Sequence, residues 1–355
     1  MNCKDAKPKE PKAQEGITEF TAGKPGRKQN RDPRGIGRKE MYVRLSDPCS
    51  MDSVPFVFCR DVCGSLGLHA EKYDELAGTL TGRWKAAATQ YAENVGLLEV
   101  NFGRDDDGWF YWIFKHGEVI DVPSIDELSA LSRRYAVFIG ICADSQNRNE
   151  LKAVRCSRED IVLRLAPLVR SRIRHNSRFY IYPTCLRDVA LTVFEMFRTC
   201  YWFKHLSIGY HGKESEEFLC AYIEKNPSIS VIDLVIWPHI AAVEGHLLKL
   251  LGSPGFTYMS LPYGQKDVRI SLAMINVVFE RWCRAENEMD FSLYGSPGVT
   301  IEKVMSIPLP PDVTRTVEKH GTRTVIRWTR RNGWSLDYDL HGDHNMLSLS
   351  CSQKD

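Results

Sequence analysis

Apolar and polar positions alternate in a short unit that recurs between residues 151 and 294 at nearly even spacing. Leu151-Lys-Ala-Val154-Arg-Cys156 returns as Phe203-Lys-His-Leu206-Ser-Ile208. It returns again as Ile229-Ser-Val-Ile232-Asp-Leu234 and as Phe256-Thr-Tyr-Met259-Ser-Leu261. Shorter copies are Phe179-Tyr-Ile181 and Phe291-Ser-Leu293. The anchors Val154, Phe179, Leu206, Ile232 and Met259 lie about 25 to 27 residues apart, with a longer step to Phe291, a spacing typical of strand-plus-helix repeats. Between them, apolar residues fall at helical spacing and predict helices over Ser157–His175, Leu186–Thr199, Ser215–Glu224, Ala241–Leu251 and Ile270–Glu286. Residues 151–300 are therefore expected to place parallel strands on one side and helices on the other. No single unit can bury its apolar faces alone, so stacking makes the core.

The flanks follow other periods. Residues 52–96 read as a helical unit: Asp52 and Ser53 are caps, and Pro55 suits the first turn. Val54, Phe56, Phe58, Val62, Cys63 and Leu66 lie on its first helix. A second helix runs over Glu71–Leu80 and a third over Gly82–Asn94, which carries Trp84 and Tyr91. Residues 97–150 read as strands and loops. Leu97–Phe102 and Trp109–Phe114 flank the turn-like Arg104–Gly108, Ser124–Arg133 is a short helix, and Ala136–Cys142 is a buried strand. In residues 301–350, Thr314–Val317, Arg323–Trp328 and Trp334–Leu340 alternate around Lys319-His-Gly321 and Arg331-Asn-Gly333, which predicts antiparallel hairpins. These are expected to cap the exposed edge of the array.

In a strand, successive side chains point to opposite faces, so the middle residue of each apolar pair points outward. That puts Tyr180, Ser207, Asp233, Ser260 and Ser292 in a row, joined by Tyr182, Val235, Trp237 and Tyr294. Tyrosine and tryptophan in such a row are typical protein-binding anchors.

Composition adds limits. The 355 residues carry a net charge of +2, but residues 1–45 hold about twice as many Lys and Arg as Asp and Glu. This tail has almost no apolar periodicity and reads as disordered. Its stretch from Lys24 to Lys39 leaves nucleic-acid contact as an alternative use, together with Arg170, Arg172, Arg174, His175 and Arg178. Arg170 and Arg174, four apart, are expected to share a helix face. No stretch approaches the roughly 18 apolar residues that span a bilayer. The 11 cysteines lie mostly in apolar segments, the distribution of reduced thiols in a cytoplasmic or nuclear protein.

No phosphate-binding loop, dinucleotide fingerprint, nucleophile elbow or zinc-protease motif occurs. Cys59 and Cys63 would share a helix face but lack a second ligand pair, and His341 and His344 stand alone, so no metal site is expected. The acidic triplet Asp105–Asp107 reads as a solvated turn. Cys200 with His205 and Cys220 with His211 read as buried thiols beside surface imidazoles. No cofactor and no catalysis are expected.

Val54-Pro55, Phe58, Val62, Leu66, Tyr73, Leu76, Leu80 and Trp84 together resemble an F-box. With the repeats behind it, the chain looks like a large, diversified group of nematode F-box-like proteins. The resemblance implies an α/β chain: a short F-box-like helical unit, a leucine-rich-repeat-like strand/helix solenoid and a C-terminal antiparallel β cap. It also implies a non-catalytic substrate-recognition subunit of a cullin-RING ubiquitin ligase. Val54, Pro55, Phe56, Phe58, Val62, Leu66 and Trp84 would then bind a Skp-type adaptor, and the outward row would hold a protein substrate. A repeat-based scaffold with no ligase connection is the alternative.

Overall fold

The computed structural model describes residues 54–66, 70–115, 118–119, 124–144, 153–262, 264–286 and 289–353. The basic tail, the caps Asp52 and Ser53, and Leu151 lie outside the described residues. Three helices come first: α1 (Phe56–Leu66), α2 (Ala70–Thr79) and α3 (Gly82–Asn94). Their inner faces bury Cys59, Cys63, Tyr73, Ala87, Ala88 and Tyr91 in a small core of their own. Tyr73 stacks on Tyr91, and its hydroxyl donates to Cys63 O at 2.7 Å, tying α2 to the end of α1.

A single open sheet of 14 strands makes up most of the remainder. The hairpin β1 (Gly96–Asp105) and β2 (Gly108–Lys115) turns at Asp106-Asp107, with the short β3 (Glu118–Val119) beyond it. Helix α4 (Ile125–Ala130) opens on a capping box made by Ser124 and Glu127. Strand β4 (Ala136–Ala143) then pairs in parallel with β1.

Five further strands join in chain order, all parallel: β6 (Ile173–Ile181), β7 (Phe203–Gly209), β8 (Val231–Val235), β9 (Tyr258–Ser260) and β10 (Ser292–Gly295). Parallel neighbours need crossovers, and helices supply them. Before β6 come α5 (Arg158–Asp160), a π turn (Ile161–Leu165) and α6 (Ala166–Arg172). Pro167 has no N–H to give, and the widened turn lies just before it. The later crossovers are α7 (Arg187–Phe197), α8 (Lys213–Lys225), α9 (Glu244–Leu251) and α10 (Leu272–Arg284), with α11 (Ile301–Met305) after β10.

One row of buried side chains crosses the sheet in register: Val100, Ile141, Phe179, Leu206, Ile232, Met259, Leu293, Leu349, Tyr338 and Ile326. Phe179, Leu206, Ile232, Met259 and Leu293 among them are the inward residues that the recurring unit predicts. Its 151–156 copy behaves differently. β5 (Val154–Cys156) pairs antiparallel with β2 and takes no place among the parallel strands. β4 takes that place instead, because its alternating apolar residues continue the buried row.

The C-terminal strands also differ from a cap. β11 (Val313–His320), β12 (Arg323–Arg330), β13 (Trp334–His341) and β14 (Met346–Gln353) form an antiparallel meander. β14, absent from the expected elements, pairs with β10 and so prolongs the sheet rather than covering its end. The outer edge is β11, whose Arg315, Glu318 and Lys319 discourage pairing with another chain.

Candidate functional site

The face of the sheet opposite the crossover helices carries the outward residues. In strand register they run Cys142, Tyr180, Ser207, Asp233, Ser260 and Tyr294. Ser292 belongs one step back, opposite Tyr258, which corrects the expected row by two residues. All but the buried Cys142 are partly exposed. Ser207 Oγ donates to the Asp233 carboxylate at 3.1 Å.

A second row lies beside the first: Arg178, His205, Val231, Tyr258 and Ser292. The expected outward row does not include Arg178, His205 and Tyr258, although counting back two residues from each outward position finds them. Tyr258 and Tyr294 pack at 5.6 Å between ring centroids. Burial pushes the Tyr180 and Tyr258 phenols up, and the nearby Asp233 adds to it, so both stay protonated donors. Burial lowers His205, helped by Arg178 and Lys204, so its imidazole is neutral at pH 7. The face thus offers neutral hydroxyls, a neutral imidazole, the Arg178 guanidinium and the Glu99 and Asp233 carboxylates. It can hold a partner by aromatic contact and hydrogen bonding.

Toward the strand ends, Gly209 pairs with Val235, and Tyr182 follows the end of β6. Gly209 is a notch between two side chains. A Cβ there would stand 2.6 Å from Pro183 N and 2.9 Å from Ile181 O. Trp237 does not join the outward residues. It is fully buried, and its indole N–H donates to Ile208 O at 2.7 Å. The reason is Ile236, whose φ of 56° breaks the strand alternation. That conformation is an outlier for a β-branched residue. It turns Trp237 inward and leaves Ile236 itself 59% exposed beside Val235.

The three-helix unit borders the same face. Leu97 and Val137 pack into the helical core, while their neighbours Leu98 and Phe138 face the main core. The helices therefore sit on the open side, over the N-terminal ends of β1 and β4. On α1 and the two residues before it, Pro55, Val57, Phe58 and Leu66 are exposed and Val54, Phe56 and Val62 are partly so. Trp84 of α3 is half-buried and meets Phe58 edge-on at 6.2 Å. Arg83 donates to Val54 O at 3.0 Å, fastening the start of α1. Val57 belongs to this apolar patch although the sequence reading did not single it out.

The chain matches no protein-family model, no curated protein and no solved structure.

Arg170 and Arg174 do not share a helix face, because Ile173 turns to extended backbone and ends α6. Arg170 donates to Thr199 Oγ1 at 2.8 Å, and buried Arg172 donates to Leu128 O and Ser129 O. Burial pushes the Cys200 thiol up to about 11, unfit for a nucleophile at pH 7. His211 is buried rather than a surface imidazole, and its Nε2 lies 3.0 Å from Tyr182 O. Asp105 pairs with Arg155, which orders the hairpin turn. Among the described residues no group of three metal-ligating side chains exists, and no helix is long and apolar enough to cross a membrane.

Proposed function

We propose that the chain is a non-catalytic recognition subunit that joins two proteins. In this reading residues 54–94 act as an F-box-like unit that docks on a Skp-type adaptor of a cullin-RING ubiquitin ligase. The repeated strand–helix units act as a leucine-rich-repeat-like solenoid whose open face holds a protein target. The observation that carries it is on α1. Cys59 and Cys63 already satisfy the helix's inner face, yet Val57 and Phe58 remain 55% and 53% exposed. Large apolar residues left over on a helix are what helix-in-groove docking uses. The Tyr180, Tyr258 and Tyr294 surface supports a second, independent contact.

The test is binding of purified full-length chain to a Skp-type adaptor by calorimetry. Phe58→Asp and Val57→Asp should each weaken it by at least about 30-fold, the scale of a hot-spot residue at about 2 kcal/mol. Both variants should keep their unfolding midpoints. Undiminished adaptor binding by both would overturn the reading. The second reading is an interaction scaffold without a ligase connection, which the open face favours because its tyrosines stand apart from α1. Nucleic acid is less suited to this face, since Glu99 and Asp233 interrupt Arg178 and no single-sign stripe forms.

A further inference from the structure

A crevice of about 590 Å³ runs between the three-helix unit and the sheet. Arg133, Arg134, Arg172 and Arg174 line it, with Asp61 and Tyr91. The arginines come from two places far apart in sequence. Arg133 and Arg134 precede β4, and Arg172 and Arg174 flank the junction of α6 and β6. Strand β6 bulges here: its pairing with β4 jumps from Phe138↔Ile173 to Gly140↔Arg178, and the extra residues carry Arg174 out of the ladder. Asn176, with φ of 80°, and the Ser177 hydroxyl, which donates to Arg174 O at 2.6 Å, hold the bulge.

Four guanidiniums face one carboxylate, which leaves three positive charges uncompensated among the lining residues. Two arginines have backbone work. Arg172 donates to Leu128 O at 2.8 Å and Arg133 to Ser171 O at 3.0 Å, but these carbonyls bring no negative charge. Arg134 approaches Asp61 at 2.8 Å as an ion pair, misaligned as a hydrogen bond. Arg174 has no carboxylate partner among the described residues. The Nη1 atoms of Arg134 and Arg174 are both buried with no aligned acceptor. Buried donors are ordinarily satisfied; Arg134 Nη1 has the Asp61 carboxylate beside it, so it is Arg174 Nη1 that calls for an acceptor from outside. Burial keeps the Tyr91 phenol protonated against the pull of Arg134 and Arg174, so it adds a neutral donor beside them.

We propose that this crevice binds a phosphoryl anion, gripped by Arg134 and Arg174 and oriented by Arg133, Arg172 and Tyr91. Guanidinium forks match the oxygens of a phosphate in two-point contacts, and arginine is the residue suited to this task. The volume leaves room for the group that carries the phosphate. The site does not depend on the adaptor or on the tyrosine face, so it stands or falls separately from the proposed function.

The experiment is titration calorimetry on the full chain at constant ionic strength, with inorganic phosphate, pyrophosphate and a phosphoserine peptide. An unphosphorylated copy of the peptide serves as control. Saturable binding of at least one of the three is expected. Arg174→Ala should weaken it at least tenfold and Arg174→Lys by less, while Arg198→Ala, at the exposed residue that follows α7, should leave it unchanged. Arg174→Lys keeps the charge and guards against an alanine variant that fails to fold. Tighter binding of the phosphopeptide than of both inorganic anions assigns the source to a phosphorylated protein; the opposite order assigns it to a small phosphorylated compound. No saturable binding by any of the three, or wild-type affinity in both Arg174 variants, overturns the proposal.

Discussion

Two buried tyrosines should respond in opposite directions to the same deletion of one hydroxyl. Tyr222 Oη accepts from Phe203 N–H at 2.9 Å and lies 3.1 Å from Cys200 O, to which it donates. It fastens α8 to the start of β7, the strand that presents His205 and Ser207. In Tyr222→Phe the ring still packs on Phe218, and Asn226 Nδ2 still serves Phe203 O, but Phe203 N–H loses its acceptor. An orphaned buried N–H costs about 1–3 kcal/mol, so a loss near 2 kcal/mol is expected. Tyr338 Oη is buried with no partner among the described residues, and burial alone pushes its phenol up to about 12. Removing a hydroxyl that is already unsatisfied relieves a desolvation cost, so Tyr338→Phe should be neutral or stabilising by about 1 kcal/mol. The gap between the variants is then about 3 kcal/mol. At a urea slope of about 3 kcal/mol per M this separates their midpoints by about 1 M. Equilibrium urea unfolding followed by circular dichroism measures it directly. Equal shifts in the same direction would refute the reasoning, because they would mean that hydrogen-bond satisfaction does not distinguish the two sites.

Other outcomes follow from the same geometry. Tyr180→Ala and Asp233→Ala should each change stability by less than about 1 kcal/mol, since both sit on the open face, yet reduce affinity for a captured protein target about 30-fold. Thermal melts beside binding titrations check this, and a large stability loss in both would place the pair in the core instead. Gly209→Ala should destabilise by about 3 kcal/mol, because its Cβ would meet backbone atoms that cannot move aside; chemical unfolding reads that loss. His211 supplies a pH dependence. Burial holds it below its ordinary 6.5, so the unfolded chain takes up the proton first as pH falls. Its contribution is complete above pH 6.5 and fades below it, with a slope no steeper than about 1.4 kcal/mol per pH unit. Urea midpoints at pH 7.5 and 5.5 should draw closer together in His211→Gln, and an unchanged gap would remove His211 as a cause.

Local patterns and their period carried much of the fold. The hairpin at Asp106-Asp107, the helices after each strand, and the inward row from Phe179 to Leu293 all follow from alternation and helical spacing. Spacing does not reveal which neighbour a strand selects, so the Val154 copy was expected among the parallel strands when it pairs with β2. Leu347, Leu349 and Cys351 alternate as an edge or inner strand would, which is the local signal for β14. Trp237 was misplaced because strand parity holds only while φ stays negative, and Ile236 breaks it. The sequence shows Arg172 and Arg174 within a basic run but not the crevice, which joins them to Arg133 and Arg134 more than 30 residues away through a bulge that only tertiary pairing creates.

The seat of β14 beside β10 also sets an order of events in biosynthesis. Residues emerge from the ribosome in sequence, and the parallel strands through β10 can align before any of the meander exists. Their growing edge at β10 then presents unpaired backbone N–H and C=O groups. β11, β12 and β13 do not close it, because the strand that pairs with β10 is β14, through residues 347–350. The interval between synthesis of Gly295 and of Met346 is thus a window in which a nascent chain can add a strand from a wrong neighbour, and in which chaperone protection matters most.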